Sequence, residues 1–238
     1  MPNPLSLRLG LLLALACGFV VPAATASAAE PLPECRYDDV RTRYTTYSAW
    51  RITLLDTIYK LPRSYVPPRL ASTRDAGLNG GYYVRPLVVD DLRALGRAAR
   101  NADAPVAVLS AYRSYDRQKQ LFNAEVERYG EEQALRQVAR AGHSEHQLGT
   151  TLDFRSKDST KLPWNYTDWA KTPAGAWLAR NGHRFGFVMS YPKGERSTTC
   201  YIYEPWHYRY VGRDMAAKVH ASGLTLREYL WRHYESAR

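Results

Sequence analysis

The chain has 238 residues, with 33 Lys and Arg against 23 Asp and Glu, for a formal net charge of +10. A charge this high asks for an anionic counterpart. Helix-turn-helix, zinc-finger and RNA-binding signatures are missing from the sequence, which argues against nucleic acid.

Residues 1–29 read as a secretory signal. Arg8 is the only charged side chain before Glu30, and Leu9 to Val21 is an apolar run too short to span a bilayer. Ala24-Thr25-Ala26 and Ala26-Ser27-Ala28 both suit a signal peptidase, so cleavage is expected near Ala26 to Ala29. Cys17 follows Leu15-Ala16 and admits a lipoprotein anchor, but Ala14 stands where a leucine is expected. The expected location is therefore secreted, wall-associated or periplasmic, with no stable membrane span. Without the leader the chain suits one domain with a substantial core, and loss of Arg8 leaves a charge of about +9. Anionic wall polymers or an anionic membrane surface are the expected counterparts. The plainer alternative is that the charge only maintains solubility.

Once Cys17 leaves with the signal, Cys35 and Cys200 remain, an even pair in an oxidising compartment. They form either a disulfide or two separate thiols. A bond closing so long a loop would contribute roughly 4–5 kcal/mol in the chain-entropy model.

Residues 30–53 read as an N-terminal arm, extended from Pro31 to about Arg43. Tyr44 to Lys60 has no clean period and admits strand or helix. Leu61-Pro62 through Tyr65-Val66-Pro67-Pro68 is a proline-punctuated loop. Val89 to Ala99 carries Leu92, Leu95 and Ala99 at helical spacing, with Asp90 and Asp91 at the end where negative charge suits the helix dipole. Val106 to Tyr112 reads as a buried strand. Tyr115 to Tyr129 is a helix ended by Gly130, and Glu131 to Arg140 is a shorter one. Gly142 to Gly149 is a loop, and Thr150 to Phe154 is β-prone. Thr172-Pro173 caps a helix that stops at Asn181-Gly182. Phe185 to Tyr191 and Cys200 to Tyr203 look like strands joined by the turn Pro192-Lys193-Gly194-Glu195. β character continues from Tyr208 to Val211, and helices Asp214 to Ala221 and Thr225 to Tyr234 close the chain. Helices and strands without regular βα alternation favour an α+β single domain over 54–238, with a small, mainly antiparallel sheet flanked by helices.

Two stretches concentrate the chemistry: Ser144-Glu145-His146-Gln147-Leu148-Gly149-Thr150-Thr151-Leu152-Asp153 and Glu204-Pro205-Trp206-His207. Two histidines, an aspartate and a further glutamate are the inventory of a catalytic zinc site, with three ligands, an open position and a carboxylate to move protons. Gly149 permits the bend that would bring His146 to a strand presenting Asp153, and Thr151 shares that strand face with Asp153. On an unbroken strand Glu204 and His207 would face opposite sides, but Pro205 can disturb the pairing there. The plain alternative is that Asp153 caps a turn and Glu204 pairs with an arginine. His143, His183, His220 and His233 read as histidines that only hydrogen-bond. A serine nucleophile at Ser144 lacks a Gly-x-Ser-x-Gly elbow.

The ordered set Ser144-x-His146-x-x-Gly149-x-Thr151-x-Asp153 and Glu204-Pro205-Trp206-His207 resembles the zinc D-alanyl-D-alanine carboxypeptidases of the VanY type, within the LAS-type peptidoglycan peptidases. The likeness extends to Leu61-Pro62-x-x-Tyr65-Val66-Pro67-Pro68, Ser110-Ala111-Tyr112-Arg113-Ser114-Tyr115-x-x-Gln118, Gly186-Phe187, Tyr191-Pro192-Lys193-Gly194 and Gly223-Leu224-Thr225-Leu226. It runs from about residue 55 to 231 and leaves most of the arm without a counterpart. It implies one zinc per chain in a cleft beside the sheet, held by His146, Asp153 and His207. It implies Glu204 as general base toward a zinc-activated water, Arg113 as the anchor of the substrate's terminal carboxylate, and Gln118 and Ser144 as contacts to the peptide. Trp206 lines the cleft or orients His207. The implied protein is a monomer acting on peptidoglycan stem peptides. L,D-carboxypeptidase or endopeptidase action, or wall binding without catalysis, are the alternatives. Thr151 departs from the alanine usual two residues before the aspartate, and Ala111 from a common glycine.

Overall fold

The computed structural model describes Met1 and residues 30–236; the expected signal segment, its cleavage region and Cys17 lie outside the described residues. Among the described residues eight strands occur in chain order: β1 (Val40–Arg41), β2 (Tyr59–Lys60), β3 (Ala71–Ser72), β4 (Tyr83–Val84), β5 (Val106–Ser110), β6 (Thr151–Ser156), β7 (Phe187–Met189) and β8 (His207–Tyr210). The α-helices are α1 (Val89–Asn101), α2 (Tyr115–Tyr129), α3 (Glu131–Gln137), α4 (Pro173–Asn181), α5 (Arg196–Thr199), α6 (Arg213–Ser222) and α7 (Leu226–Leu230). This is the expected α+β architecture with a small, mainly antiparallel sheet. Among the described residues no helix is long and apolar enough to cross a membrane.

The main sheet has the order β5-β6-β8-β7, and each neighbouring pair is antiparallel. Its two faces differ because strand side chains alternate. Leu152, Phe154, Phe187, Tyr208 and Tyr210 point to one face and join the core with Val88, Leu92, Leu95 and Ala99 from the α1 region and Leu178 from α4. Thr151, Asp153, His207 and Arg209 occupy the other face, and all four are buried. That polar face is covered by the C-terminal end of the arm: Arg209 Nη2 donates to the carbonyls of Trp50 (2.8 Å) and Thr53 (2.7 Å). Helices α6 and α7 form a second apolar cluster with Leu54 and Val211.

The helical expectations for α1, α2 and α4 follow clear causes. Leu92, Leu95 and Ala99 are all fully buried on one stripe of α1. Ser114 and Thr172 cap α2 and α4 by accepting from Arg117 N and Gly175 N. Cys200 to Tyr203 is not a strand. The helical turn α5 precedes it, Cys200 adopts a left-handed φ of 71°, and Tyr201 is buried against Tyr191 with ring centroids 5.0 Å apart. Packing and covalent linkage override the β propensity of the tyrosines. Cys35 and Cys200 form a disulfide across 165 residues, for which the chain-entropy model gives about 5 kcal/mol.

Candidate metal centre

Sheet register places two of the expected ligands. Asp153 of β6 lies directly opposite His207 of β8, so both side chains rise from the same face. His146 arrives from a 3-10 turn, Glu145–Leu148, whose N-cap is Ser144 and whose exit is Gly149 at φ 72°. A Cβ at Gly149 would also meet Arg85 Cγ at 3.0 Å, so backbone and space both call for glycine. His146 Nε2 lies 3.3 Å from Asp153 Oδ2, and His207 Nδ1 lies 3.1 Å from Asp153 Oδ1. Glu204 sits just before β8, in a turn closed by His207 N donating to its carbonyl at 3.0 Å. The turn that includes Pro205 keeps both side chains on one cavity, with Glu204 Oε2 3.6 Å from His207 Nδ1.

The tautomers follow from the outer hydrogen bonds. His146 Nδ1–H donates to the Ala111 carbonyl at 2.7 Å, leaving Nε2 as an acceptor facing the site. His207 Nε2–H donates to Glu145 Oε2 at 2.9 Å, turning Nδ1 inward. Glu145 is itself fixed by Ser190 Oγ (2.6 Å) and Arg209 Nη1 (3.0 Å). Carboxylate support of a ligand histidine in this manner orients the ring and raises its basicity. No sequence reading assigned roles to Glu145, Ser190 or Arg209. The signal for Arg209 was its place two residues beyond His207 on one strand, hence on the same face.

Burial first, and the Arg113 charge second, push His146 down to about 4, so its ring is neutral near pH 7. Burial opposes ionisation of Asp153, but His146 and His207 outweigh it and hold the carboxyl well below its ordinary range. Burial likewise opposes protonation of His207, yet the Asp153 and Glu145 carboxylates close to its two ring nitrogens push it up to about 10. Glu204 is pushed up to about 7, chiefly by burial, with Asp153 and Glu145 adding to the effect and His207 and Arg113 opposing it.

These groups fit a divalent cation. The inward atoms of His146, Asp153 and His207 lie within 4.8 Å of one another. His146 Nε2 and Asp153 Oδ1 are buried without a hydrogen-bond partner. Bonds of about 2.1 Å in a tetrahedral zinc site would separate ligands by about 3.4 Å, close to the 3.3 and 3.1 Å that separate Asp153 from His146 and His207.

The other expected residues are arranged around this centre. Arg113 N donates to the His146 carbonyl at 3.2 Å, and its guanidinium lies 3.9 Å from Asp153 with Nε unpartnered. Gln118 is buried, gives Nε2 to the Ala139 carbonyl at 2.6 Å and leaves Oε1 unpartnered. Ser144 Oγ accepts from His146 N at 3.3 Å. The Thr151 hydroxyl is buried without a partner, so it does not hydrogen-bond Asp153. Trp206 packs against the core and meets Trp164 edge-on at 5.8 Å. His143 hydrogen-bonds Asp39 and the Asp56 carbonyl, whereas His183 and His220 stack on each other at 3.7 Å.

The family model for VanY D-alanyl-D-alanine carboxypeptidases matches residues 81–213, a span that holds every residue of the centre. This chain belongs to that family. It is 37% identical over 183 residues to YodJ of Bacillus subtilis (strain 168), named as a carboxypeptidase, across 75% of this chain and 66% of that protein. The chain thus spans just under two thirds of that relative's length. The LD-carboxypeptidase LdcB superposes with a TM-score of 0.66 at 34% identity, covering 75% of this chain and 85% of LdcB. The vancomycin-resistance D,D-pentapeptidase VanY, solved in complex with Zn(II), gives 0.64 at 30% identity over 76% of this chain and 99% of VanY.

Proposed function

We propose that the chain is an exported, monomeric carboxypeptidase with one zinc ion, which hydrolyses the C-terminal D-alanine from peptidoglycan stem peptides. The observation that carries this reading is the convergence of three buried ligand atoms within 4.8 Å, with Glu204 3.6 Å from His207 and Arg113 3.9 Å from Asp153. Zinc held by His146, Asp153 and His207 supplies Lewis acidity, polarising a carbonyl and lowering the pKa of water toward about 7. Glu204, 3.6 Å from His207, takes the proton from the attacking water and delivers it to the leaving amine. Its raised pKa suits both halves of that transfer. Arg113 binds the free terminal carboxylate through its planar fork, which selects for exopeptidase action. Gln118, whose buried Oε1 lacks a protein partner, and Ser144 contact the peptide in this reading. Residues 1–29 act as the export signal, and the basic surface holds the enzyme near anionic wall polymers.

The test is a digest of muropeptides with and without a chelator. Loss of one terminal D-alanine from pentapeptides, abolished by the chelator and restored by zinc, is expected. Internal cleavage, or loss that survives chelation, overturns the assignment. The likeness to LdcB favours a second reading, L,D-carboxypeptidase action at the same centre, which predicts loss of the terminal residue from tetrapeptides instead.

A further inference from the structure

The arm and α7 lie outside the matched span of 81–213, yet they bind the residues that lead into both stretches of the centre: His143 before the first, and Thr198 and Cys200 before the second. We propose that the arm is a clasp that positions Glu204, with the Cys35–Cys200 disulfide as its redox-sensitive fastening, so that reducing this bond lowers turnover while metal and fold remain. The inference rests on the hydrolytic role proposed for Glu204.

The arm runs alongside the segment leading into β2: Asp38 N, Val40 N and Thr42 N donate to the carbonyls of Thr57, Ile58 and Lys60. Asp39 receives Lys60 (2.6 Å), Arg140 (3.0 Å) and His143 (3.0 Å). His143 stands three residues before His146, so this end of the clasp holds the first stretch. Cys35 holds the second stretch through Cys200, four residues before Glu204. The buried Arg227 guanidinium joins the same parts. Nε donates to Asp56 Oδ2 (2.6 Å), Nη1 to the Thr198 carbonyl (2.8 Å) and Nη2 to the Pro33 carbonyl (3.1 Å).

Glu204 needs this help more than the ligands do. Sheet register fixes Asp153 and His207, but no strand pairing covers Cys200 to Trp206. The backbone there is held by Cys200 N to the Arg196 carbonyl at 2.9 Å, Ile202 N to the Arg136 carbonyl at 3.4 Å and Glu204 N to the Tyr191 carbonyl at 3.1 Å, and it joins β6 only at its end, where Phe154 N donates to the Trp206 carbonyl at 2.9 Å. A general base displaced by about 1 Å can lose on the order of a hundredfold in rate. Cys35 is exposed and Cys200 is buried, so a reductant attacks Cys35. With a water-soluble phosphine, phosphorus bonds to the Cys35 sulfur and Cys200 leaves as a thiolate and is protonated. Water then converts the phosphonium to phosphine oxide and frees Cys35 as a thiol. Two electrons pass from phosphorus to the disulfide.

The experiment compares zinc-loaded oxidised protein, the phosphine-reduced protein, its reoxidised form and the Cys35→Ser/Cys200→Ser variant. Amide exchange, zinc content, and kcat and KM for D-alanine release are measured below the melting temperature of each. On reduction kcat should fall about tenfold with KM within about twofold, zinc should stay bound, and exchange should rise at Glu204 and His207 but not at Leu152; reoxidation should reverse all of this. Unchanged exchange at Glu204 and His207 overturns the clasp whatever the activity. So does exchange rising equally along β6, or an unchanged kcat. Local exchange that responds in a protein releasing no D-alanine when oxidised refutes the hydrolytic reading and leaves the clasp standing.

Discussion

Arg209→Met tests whether the polar face of the sheet is held by charge pairing. Arg209 is fully buried and makes three hydrogen bonds, one to Glu145 and two to the Trp50 and Thr53 carbonyls. Removing one partner of a buried pair costs about 3–5 kcal/mol, because the other charge stays desolvated. At roughly 2–4 °C per kcal/mol for a domain of this size, the melting temperature should fall by about 6–20 °C. Adding Glu145→Gln should recover much of the loss. The amide oxygen can still accept from Ser190 and His207, and no unpaired charge remains. The pH dependence has a definite sign. In the native protein burial opposes ionisation of Glu145, but Arg209 and His207 win and bring its pKa to about 2, below the ordinary 4.5. Its contribution is therefore complete above about 4.5 and is lost as pH falls toward 2. Without Arg209 burial meets less opposition, the carboxyl pKa rises, and the deficit relative to the native protein should shrink on acidification. Thermal melting of the metal-free proteins from pH 7 to 4 measures both effects. A single variant that melts within about 3 °C of the native protein, or a double variant no better than the single, refutes the reasoning.

Glu204→Gln should lower kcat by about 10²–10⁴-fold while zinc content is retained; metal analysis beside D-alanine release checks both. Arg113→Ala should cost about ten- to a hundredfold in kcat/KM, from about 1.5–3 kcal/mol per charged hydrogen bond, and it should erase discrimination against peptides with an amidated C-terminus. His207, with a pKa of about 10 in the metal-free site, must give up its Nδ1 proton to a cation. Zinc affinity should therefore fall by about tenfold for each pH unit below 10 over the range where the ring alone titrates, and calorimetry in buffers of different ionisation enthalpy should count one proton released. Zinc at a hundred times its dissociation constant should add about 2.7 kcal/mol of stability, an increase absent from an Asp153→Ala variant in a melting series.

Elements with one dominant period were legible in the sequence. Leu92, Leu95 and Ala99 announce α1 because a helix stripe must be buried against something. The short strands β1 to β4 are too brief to show any period. Cys200 to Tyr203 misled because its β-prone side chains are placed by a disulfide and by ring packing, both non-local. The ligand set could be proposed from residue types and resemblance, whereas Glu145, Ser190 and Arg209 depend on which residues face one another. Arg209 meets the site only once β6 and β8 are in register, with Thr151 opposite it and Asp153 opposite His207.

The four chemical groups of the centre are restrained to different degrees. His146 is fixed by its bond to Ala111 and a capped turn, and Asp153 and His207 by facing each other across adjacent strands of a buried sheet. A bound cation would reinforce all three. As the proposed base, Glu204 would not share that reinforcement, since a carboxylate that is to accept and return a proton has to stay off the metal. Its position must come from the protein: from the Tyr191 carbonyl, the turn through Pro205 and the tether at Cys200. On the proposed function the centre would therefore separate metal binding, set by sheet register, from proton transfer, set by a segment that β8 does not include. Changes along Cys200 to Glu204 should alter turnover without altering affinity for zinc, and changes on β6 and β8 should alter both.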